Sequence, residues 1–227
     1  MSSRQAVKVI ETEPQLIEIP FEKVCRYLGL GKTAPEAQLQ EQILKSIDNF
    51  KKEVSYKACF REVLCRGTSS GTDLELFFAS GERLKKALSG CDKAIIFAAT
   101  TGLAAEMSRR RAAVNSPLQA LLLDAVGTTA IESFCDKLCT QWKEEYEGYF
   151  LRPRFSPGYG DLPIEIQAKL LDSLEATNHA GISLTESYLM IPQKSVTAIV
   201  GLGEDGCRQK EPDCSLCDKT DCQFRLQ

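Results

Sequence analysis

Two stretches of this chain hold side chains at spacings suited to chemistry. The first is residues 152–161, R-P-R-F-S-P-G-Y-G-D. Pro153 and Pro157 fix φ and remove backbone donors, while Gly158 and Gly160 permit positive φ and close approach of a ligand to the backbone. Arg154 adds a permanent cation whose planar fork suits a carboxylate or carbonyl. Tyr159 adds a ring for stacking and a hydroxyl. A helical pattern from about Leu162 predicts that the loop feeds a helix N-terminus, whose N–H groups and dipole would face whatever the loop holds. The plain alternative is a rigid turn between two helices, with Arg154 in a surface ion pair.

The second stretch is the C-terminal one. Cys207, Cys214, Cys217 and Cys222 form C-x(6)-C-x(2)-C-x(4)-C, four of the chain's ten cysteines in its final twenty-one residues. A C-x-x-C pair with flanking cysteines suits four thiolates on one metal, either tetrahedral zinc or an iron–sulfur cluster. Zinc would also staple a segment too short to fold alone. Asp213, Asp218 and Asp221 do not decide between the two. Disulfides or a thiol-rich tail without metal are the alternatives. The other six cysteines (Cys25, Cys59, Cys65, Cys91, Cys135, Cys139) sit in apolar segments and read as small buried hydrophobes.

Two further motifs fail on context. G-L-G-K-T at residues 29–33 lacks the glycine a phosphate loop needs five residues before the Gly-Lys pair, where Arg26 stands; it reads as a helix C-cap and turn. Gly201, Gly203 and Gly206 match G-x-G-x-x-G, but residues 207–213 include Pro212 and offer no helix to present its N-terminus, so a flexible loop is expected. His179, the only histidine, lies in an N-H-A-G surface turn. The run Arg109-Arg110-Arg111 reads as a solvated helix face, with docking of an acidic protein such as a flavodoxin as the sharper alternative.

The elements that must position these groups follow from periodicity. Residues 1–14 are polar and expected to be partly mobile, and residues 15–19 to form a short strand. Helices are predicted over residues 21–28, 34–54, 82–90, 103–114, 117–146 and 162–177. Strands are predicted over 56–65, 72–78, 93–98 and 195–200, the first two as a hairpin across residues 67–71. No regular βαβ rhythm appears, so the class is α+β with a mainly antiparallel sheet. Residues 1–205 are expected as one domain and 206–227 as a Cys-rich tail. A net charge of −3 argues against a nucleic-acid partner. No apolar run is long enough to span a bilayer, and the N-terminus has no signal-peptide pattern, so a cytoplasmic location is expected.

R-F-S-P-G-Y resembles the R-x-[AS]-P-G-Y loop of the activation domain of cobalamin-dependent methionine synthase. L-T-E-S-Y-L-M-I-P-Q-K-S-V, residues 184–196, resembles that family's L-T-E-S-x-x-M-x-P-x-x-S-V block, in the right order and at the right separation. D-A-V-G-T-T-A-I-E, residues 124–132, is also similar. The likeness covers roughly residues 116–200, and it implies the same α+β class, with helices around a twisted, mainly antiparallel sheet.

The resemblance implies binding of S-adenosylmethionine. Arg154 would meet the methionyl carboxylate or a carbonyl, Ser156 and Gly158 would offer main-chain groups, Tyr159 would border the ligand, and Glu186 and Ser187 would help form the wall. It implies an accessory role in reductive remethylation of cobalamin, with an electron donor such as flavodoxin. The family's cobalamin module carries D-x-H-x-x-G, which this sequence lacks. The expectation is therefore a stand-alone subunit acting on the cobalamin of a partner methionine synthase or corrinoid protein. Where the family often supplies aromatic contacts after the S-V strand, this chain has Gly- and Cys-rich sequence. The competing reading is a metal- or iron–sulfur-containing redox or assembly protein on the same scaffold. A third is a structural partner of a split methionine synthase.

Overall fold

A computed structural model describes residues 6–31 and 33–204. The chain opens with β1 (Lys8–Thr12), a 3-10 turn (Pro14–Leu16), α1 (Phe21–Tyr27) and α2 (Ala37–Glu53). It continues with β2 (Tyr56–Leu64), the short strands β3 (Arg66–Gly67), β4 (Gly71–Asp73) and β5 (Phe78–Ser80), then α3 (Glu82–Ala87) and β6 (Lys93–Thr100). The helices α4 (Leu103–Asn115) and α5 (Pro117–Glu145) come next, then β7 (Phe150–Leu151), α6 (Ile166–Ser173) and α7 (Ala176–Ala180). The hairpin pair β8 (Ser183–Leu184) and β9 (Met190–Ile191) precedes β10 (Ser195–Gly203).

Five strands form one sheet in the order β1-β2-β6-β10-β7, every pairing antiparallel. The α+β class with helices around an antiparallel sheet is thus the observed one. The apolar run of β6 explains why the sheet is covered on both faces. Alternate side chains of a strand point to opposite sides: Ile95, Phe97 and Ala99 join one core, and Ala94, Ile96 and Ala98 the other. The first core is closed by α1, α2 and α5, with Phe134, Leu138 and Trp142 of α5 against the sheet. The Trp142 ring is tilted against Phe60 at 5.2 Å and edge-on to Phe97 at 5.1 Å. The second core is closed by α3, α6 and α7 through Leu84, Leu170 and Ala176.

Several local expectations are corrected. Residues 15–19 do not form a strand: Pro14 starts a 3-10 turn in which Leu16 N–H bonds Glu13 O, and the first strand is Lys8–Thr12, earlier in the chain. The expected hairpin between residues 56–65 and 72–78 is absent. β2 pairs instead with β1 and β6, and residues 72–78 are broken by a turn at Glu75, whose φ is +64°. The helix expected over residues 162–177 starts at Ile166 and is interrupted at Glu175, in the left-handed region at φ +47°. His179 lies in the short helix α7 rather than in a turn. Gly201 and Gly203 continue β10 instead of forming a loop, and the strand packs closely enough there that a Cβ at Gly201 would sit 2.7 Å from Cys91 Sγ. The rest of that motif lies outside the described residues, as do Cys207, Cys214, Cys217 and Cys222. No helix among the described residues is long and apolar enough to cross a membrane.

Candidate functional site

The loop at residues 152–161 is an outgrowth of the sheet edge. Leu151 pairs with Leu202 of β10, Arg152 N–H bonds Gly201 O at 2.8 Å, and Phe155 exchanges both backbone bonds with Ile199 at 2.9 Å. Buried Arg152 donates from Nη2 to Ser89 O at 2.7 Å. Beyond Phe155 the chain folds on itself: Tyr159 N–H bonds Ser156 O, and Gly158 N–H bonds Leu162 O at 2.9 Å. Gly160 is favoured by its φ of +64°, and a Cβ there would also lie 2.6 Å from Arg83 Cδ, so the Arg83 side chain would have to shift. Asp161 then caps α3 from seventy-nine residues beyond its first residue, its carboxylate accepting from Glu82 N–H at 2.8 Å and Arg83 N–H at 3.1 Å.

The expected helix N-terminus facing the loop is corrected by this geometry. The first N–H groups of α6 are taken up by its own entry turn, Ile166 to Pro163 O, Gln167 to Ile164 O and Ala168 to Glu165 O. The loop's charge therefore comes from side chains. Arg154 points to α5, where Glu132, Asp136 and Cys139 share one helical face by their spacing of four and three. Its Nη2 lies 2.9 Å from Glu132 Oε2 and its Nη1 2.8 Å from Asp136 Oδ1, with Cys139 Sγ 3.9 Å away. The Arg154 side chain is 22% exposed, while the two carboxylates are 41% and 55% exposed and open to solvent.

Burial works against the Arg154 charge, but the sulfurs of Cys135 and Cys139 and the carboxylate of Asp136 together hold its pKa above the ordinary value. Burial also raises the Cys139 thiol, opposed by Arg154, so Cys139 stays neutral near pH 7. Helix α1 borders the cluster. Lys23 Nζ is 3.6 Å from Asp136 Oδ2, and the Tyr27 hydroxyl pKa is raised by burial and by the nearby Glu132 and Asp136 charges.

Tyr159 is 66% exposed, its ring edge-on to Phe155 at 5.7 Å. Arg154 and Tyr159 are thus presented by one rigid loop, with half-buried Ser156 between them. Glu186 and Ser187 are exposed on the β8–β9 turn, where Ser187 Oγ is 3.0 Å from Thr185 Oγ1. Among the described residues, no hydrogen bond or ion pair joins them to Arg154. The contacts of Arg154 with Glu132 and Asp136, and the nearness of Lys23 and Tyr27 on α1, were not anticipated from the sequence. The available signal was the pair of acids one helical turn apart, interleaved with the buried Ile131, Phe134, Cys135 and Leu138. The Arg109–Arg111 run is largely engaged internally: Arg109 bonds Gln193 Oε1 at 3.0 Å, and Arg110 pairs with buried Glu106. Among the described residues there is no cluster of three metal-ligating side chains. A groove of about 680 Å³ between α2, α4 and α5, lined by Lys45, Asn49, Lys52 and Gln119, shares no residue with the loop.

A family model described as the activation domain of vitamin B12-dependent methionine synthase matches residues 83–206, more than half of the chain. The chain belongs to this family. The matched span of the activation domain runs from α3 to the end of β10 and holds the loop, its carboxylate partners on α5 and the β8–β9 turn. Among solved structures, the domain is similar to the MetH reactivation domain bound to AdoHcy, at a TM-score of 0.65 and 15% identity. That likeness covers 89% of this chain and 80% of the other. It covers more of the chain than the 83–206 span of the family model. No curated protein matches the sequence.

Proposed function

We propose that this activation domain binds S-adenosylmethionine at the 152–161 loop and offers it for reductive remethylation of cobalamin. The cobalamin would be held by a methionine synthase or corrinoid protein, on a partner chain or another module. The observation that carries this reading is the Arg154 fork clasped by Glu132 and Asp136 on the same loop as an exposed Tyr159 ring. The donor set fits the ligand. S-adenosylmethionine has one carboxylate, an ammonium, a sulfonium and an aromatic base. One guanidinium, two carboxylates and one exposed ring answer those groups in kind. Likeness to a reactivation domain bound to AdoHcy supports the same reading.

The bound ligand supplies the methyl group; this chain's residues bind and orient it. Arg154 exchanges a carboxylate partner on α5 for that of the ligand, at little net cost in charge pairing. The acid it releases on α5 then faces the ligand's cationic centres. Tyr159 borders the ligand, Ser156 and Gly158 shape the backbone beside it, and Glu186 and Ser187 contribute to the wall. Holding both reactants in one geometry is the main contribution such a site makes. An electron donor such as flavodoxin completes the reaction.

We further propose that Cys207, Cys214, Cys217 and Cys222, which lie outside the described residues, bind zinc or an iron–sulfur cluster, on the strength of their spacing. Calorimetric titration of anaerobically purified protein with S-adenosylmethionine, with iron and zinc assayed on the same batch, tests both. Saturable binding supports the activation reading. Absence of binding with metal present favours a redox or assembly protein on the same scaffold, and absence of both metals removes the cysteine site.

A further inference from the structure

The two segments that carry the proposed ligand groups are not in direct hydrogen-bonded contact, yet one buried side chain joins them. Gln167 is the second residue of α6, the helix into which the 152–161 loop runs, and it is 5% exposed. Its Nε2 donates to Tyr188 O at 2.8 Å, on the β8–β9 turn. Its Oε1 accepts from Thr197 Oγ1 at 3.1 Å, on β10, itself 2% exposed. Two residues further along β10, Ile199 holds Phe155 of the loop by two backbone bonds. The Gln167 N–H bonds Ile164 O at 3.0 Å, and Ile164 packs against Gly158. Gln167 is therefore fixed to the loop on one side and to the turn on the other.

The turn needs such a hold. Tyr188 has φ +60°, the left-handed region that side-chain-bearing residues avoid. Local bonds close the turn: Tyr188 N–H to Thr185 O, Leu189 N–H to Thr185 Oγ1, and Thr185 N–H to Leu189 O. They do not anchor it to the body of the domain. The Gln167 amide does, by satisfying the Tyr188 carbonyl in a part-buried setting, where an unpaired acceptor has less water to turn to. Glu186 and Ser187, on the same four-residue turn, are aimed by that anchor.

We infer that Gln167 is a positioning residue: it holds Glu186 and Ser187 in register with the Arg154–Tyr159 loop for binding S-adenosylmethionine. This rests on the proposed ligand, so the test has two arms. The first is hydrogen exchange of residues 184–191 in the ligand-free protein, which does not depend on the ligand. The second is the affinity for S-adenosylmethionine by calorimetry. Gln167→Met keeps the volume and loses both bonds; Thr197→Val keeps the volume and loses only the bond to β10. Gln167→Met is expected to speed exchange at Tyr188 and Leu189 at least tenfold and to weaken binding about tenfold. Thr197→Val is expected to change both by less than threefold. If Gln167→Met does not fold, Gln167→Asn, one methylene too short to span both partners, gives the same reading.

Unchanged exchange in the Gln167 variant overturns the anchoring. Faster exchange with unchanged affinity overturns the link to the ligand. Equal effects from Thr197→Val would mean that the amide serves general packing, and would overturn the specific role. A wild-type protein that does not bind S-adenosylmethionine overturns the proposed function, and the exchange arm then decides the anchoring on its own.

Discussion

Replacing Arg154 by alanine probes the site most directly. The substitution removes a fork that makes charge-assisted bonds of 2.9 and 2.8 Å to Glu132 and Asp136. Both carboxylates are close to half exposed and rehydrate when the cation leaves. The stability loss therefore belongs at the low end for charge-assisted pairs, about 1–1.5 kcal/mol. In a domain of this size that lowers Tm by about 2–6 °C. Ligand binding should suffer more, because the ligand carboxylate loses its partner and also meets two unneutralised acids. A lost charge-assisted bond is worth about 1.5–3 kcal/mol, or roughly 10- to 150-fold in Kd for S-adenosylmethionine. Arg154→Lys keeps the charge without the fork and should fall between. Calorimetric titration gives the affinity, and a thermal melt of the same samples gives the stability. A folded Arg154→Ala protein that binds within twofold of wild type would refute the reasoning and remove Arg154 from the site.

The remaining predictions concern the frame around the site. Burial pushes the Cys59 thiol from 9.0 up to about 11. Because the folded value is raised, its contribution is fully present below pH 9 and is lost as pH rises towards 11. A difference of that size amounts to about 2–3 kcal/mol, and Cys59→Ala should flatten this part of a urea-midpoint profile. Gly160→Ala forces a side chain to φ +64° and against Arg83, and should cost about 1–3 kcal/mol in chemical denaturation. Asp161→Ala removes the remote cap of α3 and should cost about 1 kcal/mol, whereas Asp161→Asn, which still accepts a bond, should cost less. Trp142→Ala empties the space between α5 and the sheet and should cost about 3–5 kcal/mol in the same assay.

Legibility in the sequence tracked the range of the interactions. The long amphipathic helices were readable because their signal is local: α2 is the segment whose Leu39, Ile43, Ile47 and Phe50 recur at helical spacing. The break between α4 and α5 was readable from Ser116 and Pro117, and Ser116 Oγ does accept from Gln119 N–H at 3.2 Å. The failures came where a distant partner decided. Residues 56–65 and 72–78 look like a hairpin because a glycine-rich turn joins them. β2 instead finds β6, which buries a run that is apolar on both faces. The helix expected from Leu162 is delayed by Pro163 and the entry turn, and Glu175 breaks it where nothing in the local pattern demands a stop.

For the function, the chemistry on offer was already written in the linear chain: the R-F-S-P-G-Y loop, the second block, the family they resemble and the cysteine spacing. These are properties of residue type and short spacing, which the linear chain carries whole. What the Arg154 charge meets depended on folding, since Glu132 and Asp136 come from a helix about twenty residues away and face the loop because α5 lies across the sheet beside β10. Folding also decided that Asp161 caps α3 and that Gln167 spans the loop helix, β10 and the β8–β9 turn. Polar side chains carry no periodic signal of their partners. Their meaning is fixed by which buried donors and acceptors remain once the apolar faces have packed.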